Sequence, residues 1–138
     1  ALVDVPAVPL AAIARACDLR TLMLRGAVEA AGIEGLSQCS NLEVLRLMLE
    51  PRAPQDSFMR VFTACRKLRI IDIYSATDAS DQILGCIMLN IKGLEDFRGS
   101  HAGGGFCQAL SEIVVDAFQK HFSGARIFIH NRVQDSFL

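Results

Sequence analysis

The side chains of this 138-residue chain that could do chemistry stand mostly in its second half. Gly103-Gly104-Gly105 precedes an expected helix over 108–122, an arrangement in which open backbone amides at a helix start can cradle a phosphate. No Lys-Ser/Thr follows, and the glycines lack the spacing of a dinucleotide fingerprint, so the run reads as a flexible loop. His101 and Cys107 could open a zinc site, with Cys86, His121 or His130 completing it. None of these forms a C-x-x-C or H-x-x-x-H pair, the spacing that fixes two zinc ligands from one local turn. Cys107 with His101 also has the residue types of a nucleophile and its base, without an orienting or oxyanion element beside them. Asp78 and Asp81 flank a helix start, where carboxylate oxygens cap open amides, and capping explains them better than acid–base work. The expectation is a protein that is not an enzyme and holds no metal or cofactor.

The elements that would position any site repeat along the chain. Cys17-Asp-Leu19-x-x-Leu22-x-Leu24 is followed by Cys39-x-x-Leu42-x-x-Leu45-x-Leu47 and by Cys65-x-x-Leu68-x-x-Ile71-x-Ile73. Leu22, Leu45, Ile71 and Phe97 succeed one another at intervals of 23, 26 and 26 residues, and a weaker copy at Gly124-x-x-Ile127-x-Ile129 comes 30 residues later. Ahead of four of the repeat slots stand apolar residues seven, four and three places back. They are Leu10, Ile13 and Ala14 before Cys17; Phe58, Val61 and Phe62 before Cys65; Leu84, Ile87 and Met88 before Ile91; and Val114, Ala117 and Phe118 before His121. That set makes one face of an α-helix. The L-x-x-L-x-L that follows ends in the alternation of a half-buried strand. Each unit therefore reads helix, tight turn, short strand, and must stack on its neighbours to bury its apolar face.

On Cys17, Cys39 and Cys65 at the helix ends, the 26-residue steps and Thr77-Asp78 in the third loop, the chain resembles the leucine-rich repeat family, in the cysteine-containing type found in the substrate-binding halves of F-box proteins. The resemblance spans about 10–129. Where the family usually carries Cys or Asn just after each strand, this chain has Ala27, Glu50, Ala76 and Ala102. The resemblance implies an α/β solenoid of about five helix–strand units with a parallel sheet on the concave face. It also implies recognition or adaptor work on a protein partner.

Composition fits a packed stack. With 51% hydrophobic residues, the chain is long enough for one continuous core, read as a single domain over 1–138. Its 14 basic and 15 acidic residues give no electrostatic footprint for nucleic acid or an anionic membrane. No apolar run approaches the ~18 residues of a membrane span, and the start lacks a signal-peptide pattern. Five cysteines, three of them in one repeat slot, favour buried reduced thiols and an intracellular setting, cytoplasm or nucleus with an organelle not excluded. Irregular loops are expected at 26–35, 50–57, 75–81 and 99–105, with Pro51 and Pro54 breaking the second. The run 5–14 has almost no polar outer face and the chain does not begin with Met. Both suggest a fragment, a processed chain or a subunit whose N-terminal edge packs on another segment or subunit. The more polar tail from His130 could finish the stack.

Function is then expected on the sheet, where the residues between the leucines face outward. One column reads Thr21, Val44, Ile70, Asp96, Arg126; the next Met23, Arg46, Asp72, Arg98, Phe128; the last Arg25, Met48, Tyr74, Ser100, His130. Met23, Arg25, Arg46, Met48, Asp72, Tyr74, Arg98, Phe128 and His130 are the candidate protein-binding residues, because Met, Tyr, Phe and Arg are enriched at protein interfaces. Arg46, Asp72 and Arg98 could equally neutralise one another across strands. The leading reading is a non-enzymatic interaction module for a partner that is a protein. The alternative is a structural or assembly subunit of a large complex.

Overall fold

Alternating apolar residues flanked by turn residues form strands here, and the i, i+3, i+4, i+7 stretches between them form helices. The structure, a computed structural model, describes residues 2–4, 18–27, 30–50, 52–101 and 110–131. In chain order these are β1 (Leu2–Asp4), β2 (Thr21–Gly26), α1 (Ala30–Gly35) running into a 3-10 turn (Leu36–Gln38), and β3 (Val44–Leu49). Then follow α2 (Gln55–Ala64), β4 (Ile70–Ser75), α3 (Asp81–Asn90), β5 (Asp96–His101), α4 (Glu112–His121) and β6 (Arg126–Asn131). The strands make one sheet whose spatial order is their sequence order, β1 to β6. Every adjacent pair is parallel. Parallel neighbours need a crossover, and α1 to α4 supply it from β2 onward, each helix packing on the next. The fold is therefore α/β, as expected.

The register follows the repeat. Leu22 aligns with Leu45, Leu45 with Ile71, Ile71 with Phe97, and Phe97 with Ile127. The first four of these side chains are buried, together with Ile33, Leu36, Phe58, Val61, Phe62, Ile83, Leu84, Ile87 and Phe118 from the helical segments. Toward β6 the core becomes aromatic: Phe97, Phe118 and Phe122 meet edge to face at 5.2 and 5.1 Å. Gly99 belongs to this packing, since a Cβ there would stand 2.8 Å from the Phe97 ring.

A shared hydrogen-bond pattern leads into β3, β4 and β6 from the helical segments before them. The Leu42 amide donates to the Cys39 carbonyl at 3.0 Å, Leu68 to Cys65 at 3.4 Å, and Ala125 to Phe122 at 2.9 Å. One residue before β2, β3 and β4, a carbonyl accepts two amides of the next unit: Arg20 from Glu43 and Val44, Glu43 from Arg69 and Ile70, Arg69 from Glu95 and Asp96. The Cys65 thiol donates to the Leu36 and Cys39 carbonyls of the preceding unit, both at 3.3 Å. Cys39, Cys65 and Cys86 are buried thiols. Cys17 and the expected helix residues Leu10, Ile13 and Ala14 lie outside the described residues, as do the whole of the run 5–14, Ala102, Gly103-Gly104-Gly105, Cys107 and the tail past Asn131.

Several boundaries differ from expectation. The loop expected at 26–35 contains α1, whose sequence Ala-Ala-Gly-Ile-Glu-Gly carries no apolar periodicity; Ile33 and, from the 3-10 turn that follows, Leu36 are buried in the core. The loop expected at 50–57 gives way to α2 at Gln55, directly after Pro54, and the loop expected at 99–105 begins with the last three residues of β5. Asp78 and Asp81 do not cap α3. Ser80 does, its hydroxyl accepting from the Ile83 amide at 3.2 Å, the usual role of Ser at this position. The helix expected over 108–122 starts at Glu112, capped by Ser111 on Val114. The residue closing that helix is buried Phe122, one place after the slot read as His121. The shift leaves His121 and Ala117 exposed. β1, a strand pairing with β2, was not expected at 2–4.

Candidate protein-binding face

Period-two alternation puts the residues between the core leucines on the sheet face away from the helices. In register across that face run Met23, Arg46, Asp72, Arg98 and Phe128. Arg25 aligns with Met48, one residue pair along. Arg98 and Arg25 are exposed, Met23, Arg46, Asp72, Tyr74 and His130 half-buried. Met48 and Phe128, at 51% and 48%, are the large apolar side chains of this face most open to solvent. Arg46 pairs with Asp72 at 4.0 Å, a long contact between partly exposed groups and a weak one. Arg98 takes no part in that neutralisation.

The third column breaks in the middle. The β3–β4 register slips, so that Met48 faces Ser75 rather than Tyr74. An extra residue in one strand of a pair re-aims the side chains around it. Neighbouring strands stand about 4.8 Å apart, yet the Tyr74 ring on β4 lies 6.1 Å from Phe128 and 5.8 Å from His130, both two strands away on β6. Tyr74 therefore leans across β5. Beneath that span is Ser100, fully buried, which corrects its placement in the exposed column. Phe128 and His130 stack nearly parallel at 5.8 Å. The Arg98 guanidinium lies 5.6 Å from the Tyr74 ring centre and 5.4 Å from that of Phe128, inside the ~6 Å reach of a cation–π contact.

Polar contacts below the face hold Tyr74 in its displaced position. Its amide donates to the Asp72 carboxylate at 3.2 Å, and its carbonyl accepts from Ser100 Oγ at 2.7 Å and from Arg52 at 3.0 Å. The same Arg52 guanidinium donates to the Thr77 carbonyl at 2.6 Å, Asp78 Oδ1 at 3.2 Å and Ser100 Oγ at 3.3 Å. Thr77 Oγ1 returns a bond to the Ala53 carbonyl at 2.7 Å. Arg52 thus ties the loops after β3 and β4 to β5. A planar fork with donors on separate nitrogens can reach acceptors on several segments at once, a spread that the single nitrogen of a lysine does not span.

A second feature of the sheet escaped the column reading. Arg20, Glu43, Arg69 and Glu95 alternate in sign one residue before successive strands, with Arg69 bonded to Glu43 at 3.1 Å and to Glu95 at 2.7 Å. Arg20 reaches Glu43 at 4.0 Å. The hydrogen bond to Glu95, then that to Glu43, raises the Arg69 pKa above its usual value. The signal was present as Arg, Glu, Arg, Glu at the unit spacing.

The side chains weighed for chemistry are scattered. Cys86 is buried in α3 against the Met59 carbonyl and Thr63; His121 lies exposed on α4; His130 belongs to the aromatic cluster. Asp81 accepts from the Ser111 amide at 2.8 Å and Asp78 meets Arg52. Among the described residues, no three His, Cys, Asp or Glu side chains stand close enough to hold a metal, and no helix is long and apolar enough to cross a membrane. No family model, curated protein or solved structure matches the chain.

Proposed function

We propose that the chain is a short leucine-rich repeat solenoid of the cysteine-containing type, acting as a non-enzymatic protein-binding module through its outer sheet face. The observation that carries this reading is the cluster of half-buried Tyr74 and His130 with exposed Arg98 and Phe128, assembled from three strands and steadied from below by Arg52 and Ser100. Rigid aromatic and Arg side chains on a solvent-facing platform are the residue types that dominate binding energy at protein interfaces. The sequential parallel sheet and the 26-residue register support the solenoid reading.

A second reading, an assembly subunit held through its helices, draws support from Leu89 and Ile113, exposed at 80% and 82% on α3 and α4. Affinity capture with mass spectrometry separates the two. Wild type would be compared with Met48→Ser/Phe128→Ser on the sheet and Leu89→Ser/Ile113→Ser on the helices. The sheet pair should lose the proteins enriched by wild type, while the helix pair keeps them. The reverse pattern would replace the adaptor reading with the assembly one.

A further inference from the structure

From β3 to β6 the outer sheet face carries the guanidinium groups of Arg46, Arg98 and Arg126 against the carboxylates of Asp72 and Asp96, a local positive excess in a chain whose formal charge is −1. Arg46 is engaged by Asp72. Arg98 differs: it is exposed, and among the described residues no carboxylate lies within ion-pair distance of it, its contacts being the Tyr74 and Phe128 rings. Ring contacts engage the guanidinium π-surface and leave its in-plane N–H donors to meet a carboxylate, bidentate where the approach is edge-on. We propose, building on the reading of this face as a protein-binding surface, that its partner is an acidic peptide segment, one carboxylate of which docks on Arg98 between Tyr74 and Phe128.

The surroundings narrow the chemistry to that class. Phosphopeptide sites gather several arginines around one dianion, whereas here a single clamped guanidinium has Asp72 beside it on β4 and Asp96 two residues before it on β5. Those carboxylates would also repel a strand of nucleic acid with a phosphate at every nucleotide. A peptide can place one Asp or Glu on Arg98 and lay apolar neighbours along Tyr74, Phe128 and exposed Met48. Phe and Tyr supply that contact area at low ordering cost.

A random peptide library displayed on phage and selected on the immobilised chain tests this. Peptides retained by wild type should be enriched in Asp and Glu over the unselected library, and their binding should weaken as salt rises. Arg98→Ala should weaken them about tenfold or more, the scale of a charge-assisted hydrogen bond. Arg98→Lys should fail to restore it, since an ammonium cannot both stack between the rings and present a planar fork. Matching thermal melts of the three proteins exclude misfolding. Selected peptides without acidic enrichment, equal binding by Arg98→Ala, an empty selection, or displacement by a single-stranded oligonucleotide would overturn the proposal. If captured proteins still depend on Met48 and Phe128 in that event, only the carboxylate chemistry falls; if they do not, the sheet-face reading falls with it.

Discussion

Cys65 shows how one side chain serves the stack. Burial, and then its neighbour Cys39, push its thiol up from an ordinary 9.0 to about 12, while its hydrogen donates to two carbonyls of the preceding unit. The thiolate is the reactive form, so Cys65 should label slowly with a thiol reagent in the native state and quickly once unfolded. Fast native labelling would contradict its burial. The pH dependence has a definite sign: above pH 9 the unfolded chain loses the Cys65 proton and the folded chain keeps it, so this group's contribution to stability falls as pH rises from 9 toward 12. Denaturant midpoints at stepped pH, beside a Cys65→Ala reference, would isolate that slope. Arg52 is the other residue with a sharp consequence. Its loss strips the carbonyls of half-buried Tyr74 and buried Thr77 of a donor, so Arg52→Ala should cost about 1–3 kcal/mol in denaturant unfolding, with Arg52→Lys recovering little of it. A cost below about 0.5 kcal/mol, the range of ordinary surface changes, would remove Arg52 from this role. Nothing in the local sequence marks Arg52, since its partners lie 22 to 48 residues away.

At the scale of elements, what the sequence reveals depends on whether the signal is local. L-x-x-L-x-L is enough to align Leu22, Leu45, Ile71, Phe97 and Ile127, because alternation alone decides which side chains enter the core. The helix α1 is not legible, since two apolar residues among alanines and glycines leave no period to read. In α4 the one-residue shift from His121 to Phe122 is hidden as well, because adjacent His and Phe both allow a helix to end and only packing on Phe118 selects the aromatic. Leu45 tests the register directly. Fully buried near the start of β3, it should cost about 2–5 kcal/mol as Leu45→Ala, the price of a large-to-small core change. Thr21→Ala, exposed at the edge of β2, should change little. Comparable losses at both positions would break the assignment of inward and outward faces.

For the whole molecule, stacked units leave two surfaces of opposite character: a sheet with an aromatic and arginine cluster, and a row of helices bearing Leu89 and Ile113. The stripe Arg46, Asp72, Arg98, Phe128 could be read from the repeat alone. The convergence of Tyr74, Phe128 and His130 could not, because it depends on the β3–β4 slip and on small, buried Ser100 letting Tyr74 cross β5. Photocrosslinking tests which surface meets a partner without requiring that partner's identity. A photoreactive side chain would replace Met48 or Phe128 on the sheet, and in parallel Leu89 or Ile113 on the helices. Exposure alone favours adducts at the helix positions. Discrete protein adducts from Met48 and Phe128, with few from Leu89 and Ile113, are the predicted result; adducts confined to the helix positions would contradict a sheet-face binding module.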